Sequence, residues 1–246
     1  MKYITLHETT SEYNQVKDSL AKPQVAYISE TNKVEYQPYV DPSGGHQYVE
    51  IGGKKWATMN VGASSVTDAG LYFQWGDTVG YTAAQVGTDK QFTDLDYKYG
   101  PLDWGDENYG MTKYNYTDHK AVLEASDDAV HAAWGGNWRI PTTAEFAALG
   151  TATTSAWTAD YEGSGVAGIV LTSTADSSKK LFFPAVGYAY DRNMNYVGSG
   201  GNYWTSSLNN EEIFYAYQFQ LGNWGIVSGN SAYRHYGCPL RGILDV

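Results

Sequence analysis

Apolar positions recur along this chain mostly in short alternating runs, and only three stretches carry helical spacing or helix signals. In "TTSEYNQVKDSLAKP", Tyr13, Val16 and Leu20 fall on one helical face, Thr10 or Ser11 can cap the start, and Pro23 ends it. "VAYI" and "VEYQ" flank the turn "SETNK" and predict a hairpin. The Pro, Asp and Gly of "PYVDPSGG" (38–45) read as a linker, which divides the chain into an N-terminal segment 1–45 and a domain 46–246. "YVEIGGKKWATMNVG" predicts two strands around a tight Gly52-Gly53 turn, and "GLYFQWGD" predicts a short aromatic strand. From 81 to 118 no period persists, which marks a long loop. Two helices follow. "SDDAVHAAWGG" offers Ser126 as N-cap, Asp127 and Asp128 in the first turn, where they favour the positive end of the helix dipole, and Gly135 at the end. In "PTTAEFAALG", Thr142 and Glu145 form a capping box and Gly150 closes the helix. Beyond Ala156 come the strands "GIVLTS", "KLFFPAVGY", "GNYWTSS", "AYQFQL" and "PLRGILD", with no solenoid repeat or heptads.

Composition narrows the function classes. Of 246 residues, 42% are hydrophobic and 17% charged, enough apolar surface for a core and against disorder. Aromatic content is 15%, with 22 Tyr and 8 Trp, and 27 Gly stand beside 7 Pro, which suits short strands and turns better than a helical bundle. A net charge of -11 argues against a nucleic-acid partner, because phosphate neutralisation needs a basic face. A single cysteine, Cys238, excludes an internal disulfide and a cysteine metal cluster. "MKYITLHETT" has no apolar run of signal-peptide length, and no stretch approaches the roughly 20 apolar residues of a membrane span. A soluble chain, without membrane insertion and not exported by its own N-terminus, is therefore expected.

Searches for catalytic chemistry find little. Nucleophile-elbow, P-loop, dinucleotide-binding and H-E-x-x-H patterns are absent. His7, His46, His119, His131 and His235 lack metal-ligand spacing, so no metal and no cofactor is expected; His131, beside Ala132 and Trp134, reads as a packed or surface histidine. His235, Cys238 and the adjacent Arg234 permit a thiol nucleophile, against the plainer reading of a half-exposed loop thiol. "DWGDEN" (103–108) has the oxygens of a Ca²⁺ loop without EF-hand spacing, against the plainer reading of a solvated acidic turn. A carboxylate pair for glycoside cleavage stays open, since separation in space is not visible in sequence. Asn115-Tyr116-Thr117 is a glycosylation sequon, which matters only in a secreted chain.

The segment 201–245 contains no Lys and is dense in Tyr, Asn, Ser and Gly. Antibody loops use this set, because Tyr offers broad contact at low entropy cost and Ser, Gly and Asn add adaptable hydrogen bonding. "YW-S", Ala216, Phe219, Trp224 and "LRGIL" look like scaffold. Between them, "YAYDRNMNY", "LNNEEI", "IVSGNSAY" and "RHYGCP" have no apolar period and are expected in loops or on an exposed face.

"KKWATMNVG", "GLYFQWGD", "GGNWRIPTTAEFAAL", "FFPAVGY", "NYWTSS" and "GCPLRGILD" together resemble the variable proteins of diversity-generating retroelements, in particular those of gut Bacteroidales and their phages, which share motifs with Fibrobacter succinogenes major paralogous domains. The resemblance covers roughly 46–245, and "SLAKPQVAYISETNKVEYQPY" resembles the short leader of such phage proteins. It implies an α+β fold: a C-type-lectin-like domain of the formylglycine-generating-enzyme type, with two short helices, several short antiparallel strands and long loops, preceded by a small helix-hairpin element. It further implies a variable region at about 188–245, rewritten by adenine-directed copying. Asn codons are favoured targets there, and Lys and Trp are not reachable from AAC or AAT. Carried onto this chain, the ligand-contacting positions would be Tyr190, Asp191, Arg192, Asn193, Asn195, Tyr196, Asn202, Asn209, Asn210, Tyr215, Tyr217, Asn223, Ser228, Asn230, Tyr233, His235, Tyr236 and Cys238. Glu211, Glu212, Gln218 and Gln220 fit that codon logic less well but could touch ligand, and Trp204 and Trp224 would be invariant scaffold. The implied role is non-enzymatic recognition of a protein or glycan on a bacterial cell, with the N-terminal segment docked on a phage tail or fibre, so that the protein sits on the virion or a bacterial surface. A homo-oligomer is compatible, though no coiled coil enforces one. The sulfatase-activating relatives use a cysteine pair and calcium-dependent lectins use Glu-Pro-Asn, Gln-Pro-Asp or Trp-Asn-Asp; this chain has neither. An enzyme on the same fold, using Cys238 or an acidic pair, and a structural surface protein are the alternatives.

Overall fold

The computed structural model describes residues 3–7, 24–28, 33–37 and 43–245. Contacts divide the chain into two units, Met1–Gly45 and His46–Val246. In the first, β1 (Tyr3–His7) runs parallel to β2 (Gln24–Ile28), and β2 pairs antiparallel with β3 (Lys33–Gln37), from Gln24 opposite Gln37 to Ile28 opposite Lys33. The antiparallel pair is the expected hairpin, while β1 adds a strand that the periodicity did not single out. The helix expected over 10–20 lies outside the described residues.

The second unit is built from antiparallel sheets with two short helices, an α+β arrangement rich in sheet. Its first hairpin joins β4 (Tyr48–Ile51) to β5 (Lys54–Asn60). Gly52 and Gly53 supply φ of 62° and 74°, the two left-handed positions a two-residue hairpin turn requires. The chain's last strand, β15 (Arg241–Leu244), inserts between β5 and the short β6 (Trp138–Arg139), so the domain's two ends share one sheet. All four residues of β15 are buried, which explains why "RGIL" shows no alternation. Gly242 is required there: a Cβ would lie 2.4 Å from the Trp134 ring.

Helix α1 (Ala129–Trp134) is capped by Asp128, whose side chain accepts from the Val130 and His131 amides, and not by Ser126. Asp127 is buried beneath it and gathers the Lys98 and Lys113 ammonium groups and the Tyr114 hydroxyl. Burial opposes its charge, yet those donors hold its carboxyl well below the usual range. Local spacing could not show this, because the lysines arrive from the preceding loop. Helix α2 (Thr143–Thr151) has the expected Thr142–Glu145 capping box and runs one residue past Gly150. Arg139 holds Glu145 at 2.6 and 2.7 Å and Asp245 at 2.5 and 2.9 Å, tying α2 and the chain's end to β6.

Strands β7 (Thr153–Thr158), β8 (Gly168–Ser173) and β9 (Lys180–Pro184) form one sheet. Then β10 (Tyr188–Tyr190) and β11 (Asn193–Asn195) form a small hairpin. Finally β12 (Gly200–Leu208), β13 (Tyr215–Gly222) and β14 (Gly225–Tyr233) form a meander. "GLYFQWGD" is not a sheet strand. It is a buried extended segment bridging Tyr72 to Tyr81 and Phe73 to Cys238, with Trp75 fully enclosed. One core gathers Trp75, Tyr114, Trp138 and Trp204; another places Phe146 of α2 stacked on Phe219 of β13 at 4.6 Å, beside Trp56, Phe183 and Tyr203. The 81–118 region is irregular as expected, but it packs inward through Phe92, Tyr97, Tyr99, Met111 and Tyr114. No helix among the described residues is long and apolar enough to cross a membrane.

Candidate ligand-binding face

Strand alternation places Gln218 and Gln220 of β13 on the same side of the meander, opposite Asn230 of β14 and Asn202 of β12 respectively. A bulge skips Gly229, whose φ is 91°, between the pairs Gln218–Asn230 and Phe219–Ser228. The result is a row of amides. Asn230 Nδ2 donates to Gln220 Oε1 at 2.6 Å, and Gln220 Nε2 donates to Gln218 Oε1 at 3.3 Å. Asn202 Nδ2 donates to that same oxygen at 2.9 Å. Gln218 is buried, and its Nε2 donates to Cys238 Sγ at 3.0 Å, which orients the amide and, through it, the row.

Over this row lies a groove of about 380 Å³, within the usual range of small-molecule sites. Asn202, Gln218, Gln220 and Ser231 form its polar lining, and Tyr188, Tyr196, Tyr236 and Trp224 its aromatic lining. None of its lining residues is Asp, Glu, Lys, Arg or His. Tyr196 is 66% exposed and Trp224 60% exposed. Tyr188 stacks on Tyr196 and Tyr236, with centroids at 6.0 and 5.4 Å. Burial pushes the Tyr188 phenol up and that of Tyr236 to about 12, so both are neutral near pH 7.

The rings continue from Tyr236 to Tyr190 at 4.8 Å and to His235 at 5.2 Å, then from His235 to Tyr233 at 5.2 Å and on to Tyr215 at 4.6 Å. On the far side of this wall is a second hollow of about 300 Å³, lined by Tyr190, Asp191, Tyr233 and His235 together with Asp94 and Trp104 from the long loop. Trp104 is 63% exposed and reaches Phe214 at 5.2 Å, so the loop contributes a wall to the face. Around it, Asp103 Oδ1 accepts from the Gly105 amide and Asp106 Oδ1 from the Asn108 and Gly110 amides, which is the geometry of solvated turns.

Of the positions expected to meet ligand, Tyr196, Asn202 and Tyr236 line the groove, and Tyr190, Asp191, Tyr233 and His235 line the hollow. Asn230 sits in the amide row. Arg192, Asn193, Asn210 and Asn223 are exposed outside both, and Asn195, Tyr215, Tyr217 and Ser228 are half-buried outside both. Two positions are corrected. Asn209 is buried, and its Oδ1 accepts from the Glu211 and Glu212 amides, so it builds a turn. Cys238 is 0% exposed and bridges Phe73. Burial drives its thiol up, with the Gln218 bond opposing, which is the setting of an inert structural thiol and neither a loop thiol nor a nucleophile. Trp224 is corrected in the other direction: it is no scaffold residue but an exposed ring at the β13–β14 turn. Its place between Asn223 and Gly225 was the available signal. Tyr188, which opens the expected exposed stretch 188–196, and Trp104, inside an acidic turn, are not among the positions expected to meet ligand.

The wall is anchored from below by Arg234. Its guanidinium donates to the Tyr97 hydroxyl at 2.8 Å and to the carbonyls of Tyr114, Ile213 and Lys113 at 3.1, 3.0 and 2.9 Å. Trp75, Tyr97, Tyr99 and Tyr114 surround it, with the Trp75 centroid at 4.9 Å. One buried cation thus fastens the long loop to the tail. Among the described residues, no three His, Cys, Asp or Glu side chains gather as a metal site. No protein-family model, curated protein or solved structure matches this chain.

Proposed function

We propose that this protein is a non-enzymatic binding protein with a C-type-lectin-like domain, whose C-terminal face recognises a molecule on a bacterial cell. In this reading its N-terminal unit docks it to a phage tail or fibre, and a retroelement rewrites codons of the face. The observation that carries the reading is convergence. Residues from 190 to 236, scattered along β10 to β14 and the segment after it, surround two adjoining hollows, while Trp138 and Trp204 lie in the core. Short antiparallel strands, two short helices, a long packed loop and the pairing of the domain's ends support the fold assignment. Neither a thiol nor a carboxylate lines the groove, which favours binding over catalysis there.

Sequencing the coding locus and its flanks across many cells tests the proposal. The expected result is a nearby reverse transcriptase gene and a template repeat, with mismatches confined to template adenines and concentrated in the codons of exposed face residues. An invariant tail with no template sinks the retroelement reading.

A further inference from the structure

We propose that the groove over the amide row takes a short stretch of a neutral glycan, an inference that rests on reading the chain as a cell-surface binding protein. The first ground is charge. The protein carries 27 acidic and 16 basic residues, yet none of them lines this groove. An ionic ligand would lose its hydration there without gaining a counter-charge, which is strongly unfavourable. A neutral ligand meets no such cost.

The second ground is hydrogen-bond capacity. The Asn230–Gln220–Gln218–Asn202 row uses one N–H of each amide internally, and Gln218 accepts twice and is anchored on Cys238. That leaves the Oδ1 and one N–H of Asn202 and one N–H of Gln220 at the groove, with no partner among the described residues. The Ser231 hydroxyl and the phenols of Tyr188, Tyr196 and Tyr236 add groups that both donate and accept. Neighbouring sugar hydroxyls also donate and accept side by side, so they match such a row. A lipid tail would leave every one of these groups unpaired.

The third ground is shape. Sugar rings are amphipathic, with C–H faces that pack on aromatic side chains, and Trp224 stands exposed beside the amides. A groove of about 380 Å³ has room for about two sugar rings, whereas a protein epitope needs about 800 Å² per partner. Because the amides are already bonded to each other, binding orders few side chains.

The full chain is applied to an array of neutral hexose, deoxyhexose and N-acetylhexosamine oligosaccharides beside their sulfated and sialylated counterparts, with calorimetry on the best binder. We expect a neutral oligosaccharide to bind, with little change in affinity between about 0.05 and 1 M salt. Trp224→Ala should weaken it by about tenfold or more with unchanged melting temperature, and Gln220→Ala should also weaken it. Retention of acidic glycans alone, or wild-type affinity in both variants, overturns the inference. In parallel, the chain is applied to Bacteroidales cells treated with periodate or with protease. Binding that survives periodate and is lost to protease assigns the ligand to a surface protein, and the glycan inference falls while the binding function stands. Absence of binding both to the array and to cells removes both.

Discussion

At the scale of single residues, the tail's polar side chains divide by whether water still reaches them. His235 illustrates the buried class: it is 8% exposed and packed against Tyr233 and Tyr236. Burial, partly opposed by Asp94, pulls its imidazole down to about 4 from an ordinary 6.5. Below pH 6.5 the unfolded chain takes up a proton that the folded one refuses. The contribution of His235 to stability is therefore full above 6.5 and is lost progressively as pH falls towards 4, by roughly 3 kcal/mol. Urea melts of the wild type and His235→Gln between about pH 7.5 and 4.5 should diverge, the variant showing the shallower loss. Superimposable profiles would remove His235 as the cause.

At the scale of elements, both helices are short and depend on their caps. Thr142 caps α2 from a half-buried position and Glu145 returns the bond, so Thr142→Ala should cost about 1 kcal/mol. Asp128 does more. One oxygen caps α1 and the other accepts the Ile140 amide at 2.7 Å, deep in the core. Asp128→Ala leaves a buried amide unpaired in addition to losing a cap, so it should cost about 2–4 kcal/mol. Denaturant unfolding of the two variants should show this order, and equal costs would mean the Ile140 bond contributes nothing.

At the scale of the domain, the face and the core share aromatic residue types but should respond differently to truncation, because their burial differs. Trp204 is fully buried, with Nε1 donating to the Phe73 carbonyl at 2.8 Å, and Trp138 is equally enclosed. Trp204→Ala and Trp138→Ala should each cost about 3–5 kcal/mol. Tyr190, 46% exposed at the rim, should tolerate Tyr190→Ala within about 0.5 kcal/mol while ligand binding changes. Tyr215 and Tyr233 sit between these extremes: they pack on each other and on Phe214, so truncating either should cost stability as well as contact. Thermal melts beside cell-binding assays separate the two effects.

Much of the element layout was legible from sequence, because local rules decide it. The paired glycines turn β4 into β5, the Thr142–Glu145 spacing starts α2, and short apolar or aromatic runs mark β8, β12 and β13. The tail's wealth of Tyr and Asn likewise pointed to an exposed face, and Tyr190, Asn193, Tyr196 and Asn230 are exposed. Burial at each position was another matter, because it depends on what arrives from far along the chain. Only the tertiary structure put Cys238 under Gln218, brought Lys98 and Lys113 to Asp127, and left Trp224 in the open at a strand turn. Pattern within a segment decides which backbone shape is cheapest; which side chains keep water is decided by packing between segments, and that places the groove.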